Sequence, residues 1–200
     1  VRSRRQRQMC IRDRYCTRTE LIDGAGQPIG FSPLFTRPPA FANALMQNVA
    51  GGNTMVMNNA ARDLLVEAGA DIDVVAHDWW IYIVVSACGG RVHYDSEPSL
   101  RYRQHGDNLI GANAGLSARV LRIKMLFEGH LKMWTDQHIQ ALSPLLPKLT
   151  PANLAIYDRF ISARQRSLLP RVVGIKRSGV YRQTLLGNLG LLAAALTNRI

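Results

Sequence analysis

HDWWIYIVVSACGG, residues 77–90, is the stretch on which the fold turns. Ile81, Ile83, Val84 and Val85 are β-branched and favour a strand by residue type. Twelve residues without polar alternation, closed by Gly89-Gly90, instead favour a buried helix. Downstream, Arg91-Val92-His93-Tyr94 reads as a strand, and Pro98 opens an extended stretch from Ser99 to Arg103. Upstream, Thr54-Met55-Val56-Met57 reads as a short buried strand. Asn58 is placed to cap a helix over 59–68 that stops at Gly69. Residues 21–29 read as a strand, a glycine-containing turn and an extended exit. Residues 30–48 hold a Pro-rich loop (Pro33, Pro38, Pro39) and an apolar helical piece ending near Gln47. The expected class is α/β up to about residue 112.

The character then changes. Leu116, Val120, Ile123, Phe127, Leu131 and Trp134 are spaced 4, 3, 4, 4 and 3 residues apart, the period of an amphipathic helix. Thr150-Pro151 is a cap followed by proline at the first helical position, which predicts a helix to about Ser167, broken by Pro170. Residues 180–196 are apolar. The expected organisation is an α/β segment over 19–115 and a helical extension over 116–200.

Charge divides the chain in the same way. The net charge of +11 is uneven. Residues 1–18 carry seven Arg against Asp13, and 148–200 carry nine Lys or Arg against Asp158; the middle has nine basic and twelve acidic residues. Residues 1–18 lack apolar periodicity, caps and turn chemistry, and read as a non-native or disordered basic leader. The basic, apolar stretch 148–200 fits an anionic membrane surface. Net charge alone is the sole support for nucleic-acid binding, and the acidic middle and lack of a recognition motif set it aside. Cys10, Cys16 and Cys88 make no disulfide framework, and Cys88 reads as a small buried hydrophobe. No secretory leader and no membrane-spanning apolar run is visible. The expected location is cytoplasmic, peripheral on the inner face of a bacterial plasma membrane.

Three short segments carry chemistry. Asp78 sits at the start of the apolar helix, where an aspartate accepts from free backbone amides and is favoured by the dipole. It reads either as a plain cap or as a base able to take a proton from a sugar hydroxyl. Trp79 and Trp80 follow it. Indole faces stack on pyranose rings, and they also fill cores. Gly51-Gly52-Asn53-Thr54 is a tight loop whose amides a ligand can approach closely, or merely a turn. Arg101 and Arg103 can pair with diphosphate oxygens, and His105 can reach a divalent ion or a phosphate. A zinc site from His77, Cys88, His93 and His105 fits no standard ligand spacing. There is no P-loop and no Gly-x-Ser-x-Gly motif.

Taken in order, residues 48–55 (NVAGGNTM), 77–80 (HDWW) and 97–111 (EPSLRYRQHGDNLIG) resemble family 2 glycosyltransferases, in particular rhamnosyltransferase-like bacterial members. Residues 177–183 share the resemblance. The resemblance implies the C-terminal portion of a GT-A, Rossmann-like domain and transfer with inversion in one displacement. It implies Asp78 as the general base, with Trp79, Trp80, Gly51, Gly52, Asn53 and Thr54 on the acceptor side. Arg103 and Gln104 would meet the diphosphate and His105 the metal, Mg or Mn. The partners implied are a nucleoside-diphosphate sugar donor, with rhamnose as the family-level expectation, and a glycan or lipid-linked acceptor in surface polysaccharide synthesis. The donor-binding half and its Asp-x-Asp motif should precede Leu21 and are not found. The chain by itself is therefore expected to be inactive. The alternative is a non-catalytic helical module that binds a membrane surface or a partner.

Overall fold

The computed structural model describes residues 13–104 and 128–200. His105, the segment 106–111 and most of the helix expected over 116–134 lie outside them.

Strand β1 (Asp13–Ile22) is the centre of a mixed four-stranded sheet. On one side it pairs antiparallel with β2 (Pro28–Phe31) and with β3 (Val56–Met57). On the other it runs parallel to β4 (Arg91–Arg103), from Asp13 opposite Arg91 to Ile22 opposite Arg103. The expected leader boundary at residue 18 is thereby corrected. Residues 13–18 form the first half of the central strand, and Cys16 is fully buried within it. The two extended pieces expected around Pro98 are one strand. β4 lies at the sheet edge, where a proline deprives no neighbour of a donor, and the register slips between Thr17 and Glu20 absorb extra residues near it.

Helices cover the sheet: α1 (Phe41–Ala44), α2 (Asn59–Ala68), α3 (His77–Ala87), α4 (His130–Leu142), α5 (Pro151–Arg164), α6 (Leu168–Ser178) and α7 (Leu185–Leu196). The Asn58 side chain accepts from the Ala61 amide at 2.9 Å, and Gly69 ends α2 at φ 93°. α3 is the helix that its length demanded. Every residue from Trp79 to Ala87 is buried, which explains the missing polar alternation: a helix covered on all sides has no face to leave polar. Its last carbonyls, on Ser86 and Ala87, accept from Asn153 Nδ2 at 2.9 and 3.0 Å, so α5 caps α3.

Two helix boundaries differ from expectation. Gly129 adopts a left-handed conformation (φ 84°) immediately before α4, so among the described residues the helix that contains Leu131 and Trp134 begins at His130 and continues to Leu142. α5 ends at Arg164, and Pro170 lies in the first turn of α6, where its missing N–H has no intrahelical partner to lose. The helical extension shares its core with the α/β part. Trp79, Ile83 and Val84 belong to the same apolar cluster as Leu142, Phe160, Leu191 and Ile200. The loop after α6 is pinned to α1: Asn43 donates to the Tyr181 carbonyl at 3.1 Å, and Gln183 donates to the Arg37 carbonyl at 3.0 Å. No described helix is long and apolar enough to cross a membrane.

Arg14 is the misfit of this core. It is fully buried, and its Nε and Nη1 have no hydrogen-bond partner. Nη2 donates to the Ala50 carbonyl at 3.3 Å, and the guanidinium lies 5.6 Å from the Tyr82 ring centre. Burial lowers its pKa, because the charged form loses hydration. Arg14→Met is expected to stabilise the fold by about 1–3 kcal/mol, since it removes two unmet donors and a buried charge. The Ala50 carbonyl keeps its bond from Asn48 Nδ2 at 3.0 Å. Urea denaturation checks this, and an unchanged or lower midpoint contradicts it.

Candidate active site

The site is built at the N-terminus of α3. Ala76, extended at φ −158°, brings the chain into the helix and offers no side-chain cap. Asp78 in the first turn takes that role. Its Oδ1 accepts from the Trp79 amide at 2.7 Å, and its Oδ2 accepts from the Gly52 amide at 3.1 Å. The carboxylate is half-buried and so retains a path to solvent.

The glycine loop is thereby part of the site. Gly51 precedes a single 3-10 turn over Gly52–Thr54, closed by the Thr54 amide and hydroxyl on the Gly51 carbonyl at 3.2 and 3.1 Å. The backbone φ of Gly52 is not left-handed, so what a side chain there would meet is the His77 ring. A Cβ there would stand 2.2 Å from His77 Nε2. The His77 imidazole therefore lies directly against the Gly52 backbone, beside the bond that ties Gly52 to Asp78. Asn53 is exposed at the tip of the loop, and Thr54 is buried as its structural anchor.

Gly52→Ala tests this contact. The backbone tolerates alanine, so stability should stay within about 1 kcal/mol, while the imidazole must swing away. His77 ring resonances in NMR are expected to move. Unmoved resonances contradict the contact.

The tryptophans occupy a different place from the one expected of them. Both are buried, Trp79 at 8 % and Trp80 at 4 % exposure. Trp79 Nε1 donates to the Ala44 carbonyl at 2.7 Å, and its ring meets Trp134 and His138 edge-on, at 6.1 and 4.6 Å between centres. It anchors α3 to α1 and α4 and presents no sugar-stacking face. Trp80 Nε1 is buried without a partner. In a helix enclosed on all sides, two adjacent indoles both find core.

The expected diphosphate ligands are engaged elsewhere. Arg103 Nη1 donates to the Gly24 carbonyl at 2.8 Å, and the Gln104 amide donates to the Ile22 carbonyl at 2.8 Å, both near the β1–β2 turn. Arg101 pairs with Glu20 at 2.8 Å. Among the described residues no hydrogen bond joins Arg103 or Gln104 to Asp78. The side-chain Nε2 of Gln104 is buried and without a partner.

His105 lies outside the described residues. Among those described, no group of three His, Cys, Asp or Glu side chains could hold a metal ion. His77, weighed from sequence only as a zinc ligand, lies beside Asp78 instead. Its signal was its position immediately before Asp78, but only the docked glycine loop gives that position meaning.

Over 54 residues, the chain is 32 % identical to dTDP-rhamnosyl transferase RfbG of Shigella flexneri. The matched stretch is 27 % of this chain and spans 19 % of that protein's length. No protein-family model matches the chain, and no solved structure matches it. The likeness is glycosyltransferase-like and partial, set on a mixed α/β fold.

Proposed function

We propose that this chain is the acceptor-side portion of an inverting, family 2 glycosyltransferase with a GT-A fold. The observation that carries the proposal is the Asp78 carboxylate. It is held at a helix N-terminus by the Trp79 and Gly52 amides and lies beside the His77 imidazole. Both bonds orient the carboxylate. Such a group accepts a proton from a sugar hydroxyl as that oxygen attacks the anomeric carbon. The bond from that carbon to the nucleoside diphosphate breaks as the new one forms, and the diphosphate leaves with the bonding pair, which inverts the centre. The chain holds Asp78 and the glycine loop in register, which supplies orientation on the acceptor side. The partial likeness to a rhamnosyltransferase supports a sugar of that class, from a nucleoside-diphosphate donor, and a glycan or lipid-linked acceptor.

The test follows nucleoside diphosphate release with and without acceptor. The chain alone is expected to give none. The same segment joined to a donor-binding half is expected to turn over and to lose turnover with Asp78→Asn. Transfer that survives the substitution removes Asp78 as the base.

A further inference from the structure

We infer that the paired helices α6 and α7 form a docking face for an anionic lipid surface. α7 has two apolar faces. Leu191, Ala194 and Ala195 are buried in the core. Leu185, Leu189, Leu192 and Leu196 recur at intervals of 4, 3 and 4 residues, which places them in one stripe on the opposite side. All four are exposed, Leu185 at 79 %. Leu186 beside them is 63 % exposed. Five exposed leucines in a twelve-residue helix exceed the scatter of single apolar residues on ordinary surfaces.

α6 continues the face. Arg171 Nε donates to the Ala195 carbonyl at 2.7 Å, so the start of α6 lies at the end of α7 and the two helices run antiparallel. Leu169, Val173 and Lys176 share one exposed side of α6 at intervals of 4 and 3, with Leu169 72 % exposed. Arg177 is exposed at its last turn.

Charge selects the occupant. From Arg159 to Ile200 the sequence has eight basic residues and no Asp or Glu. Of these, Lys176 and Arg177 are exposed on this face, and a second copy of α6 and α7 would bring no carboxylate to pair with them. An anionic bilayer complements them, with leucines entering the headgroup boundary and Lys176 and Arg177 at its phosphates. Neither helix is long enough to span, so the face lies on the surface. This inference is independent of the catalytic role of Asp78.

The test is co-sedimentation of the full chain with phosphatidylglycerol vesicles and with phosphatidylcholine vesicles. Binding to the anionic vesicles is expected, weakened by salt and absent from the neutral ones. The double variant Leu185→Gln/Leu189→Gln, at exposed positions that leave the thermal midpoint unchanged, is expected to bind at least about tenfold more weakly. Lys176→Gln/Arg177→Gln is expected to lose binding to a similar degree. No sedimentation, equal binding to both lipids, or full binding by the leucine variant overturns the inference. So does a lipid-free dimer that the leucine substitutions dissolve, because the occupant would then be a second copy.

Discussion

Asp78→Asn, in a transferase containing this segment and a donor-binding half, is expected to lower turnover about 10²- to 10⁴-fold, the usual contribution of a positioned base. The amide cannot take the acceptor's proton. It keeps the shape of the carboxylate and one accepting oxygen. It cannot accept from both the Trp79 and Gly52 amides as the carboxylate does. The structural loss is therefore that of a weakened helix cap, about 1 kcal/mol. The two consequences separate experimentally. A residue that is only a cap loses stability and keeps its turnover at temperatures well below the midpoint. A base loses turnover there while the donor KM stays nearly constant, because the interaction removed is made in the transition state.

The second large effect is on stability in acid. His138 lies on α4 with its ring 4.6 Å from that of Trp79, is 2 % exposed, and has no hydrogen-bond partner on either nitrogen. Burial without a partner lowers its pKa from 6.5 to about 4, because the imidazolium would lose its hydration. The unfolded chain takes up this proton near pH 6.5, and the folded chain only near pH 4. Between those values the unfolded state binds more protons, so stability is complete above pH 6.5 and falls as the pH drops towards 4. The shift corresponds to roughly 3 kcal/mol. His138→Leu is expected to be neutral or stabilising at pH 7, where it removes two unmet polar atoms, and to flatten this part of the profile. Urea midpoints for both proteins from pH 7.5 to 4 provide the check. Parallel profiles would show that His138 does not titrate against folding. Trp79 also donates the backbone amide that holds Asp78, so His138 packs against a residue that bonds the candidate base.

Several elements were legible from sequence because their signals are local. The helix at 77–87 follows from an apolar run too long and too uniform for a strand, ended by glycines. The caps at Asn58 and Thr150 follow from side chains that reach amides three residues on, the latter at 3.3 Å. Asp78 at a helix start was legible for the same reason. Such interactions are set within one turn of chain, so residue order alone determines them.

What required the tertiary structure depends on surfaces distant in sequence. The parallel pairing of β1 with β4 draws residues 13–18 out of the expected leader, since a strand is completed by its partners. The burial of Trp79 and Trp80 was decided by the number of elements that enclose α3, which no periodicity of α3 itself records. Gly52 meets Asp78 across 26 residues because the loop folds onto the helix start, and that approach needs space no local pattern specifies. The sequence by itself determined which residues could carry charge and where helices begin. The tertiary structure decided which of those residues face one another, because close packing leaves room for only one arrangement of side chains around a shared core.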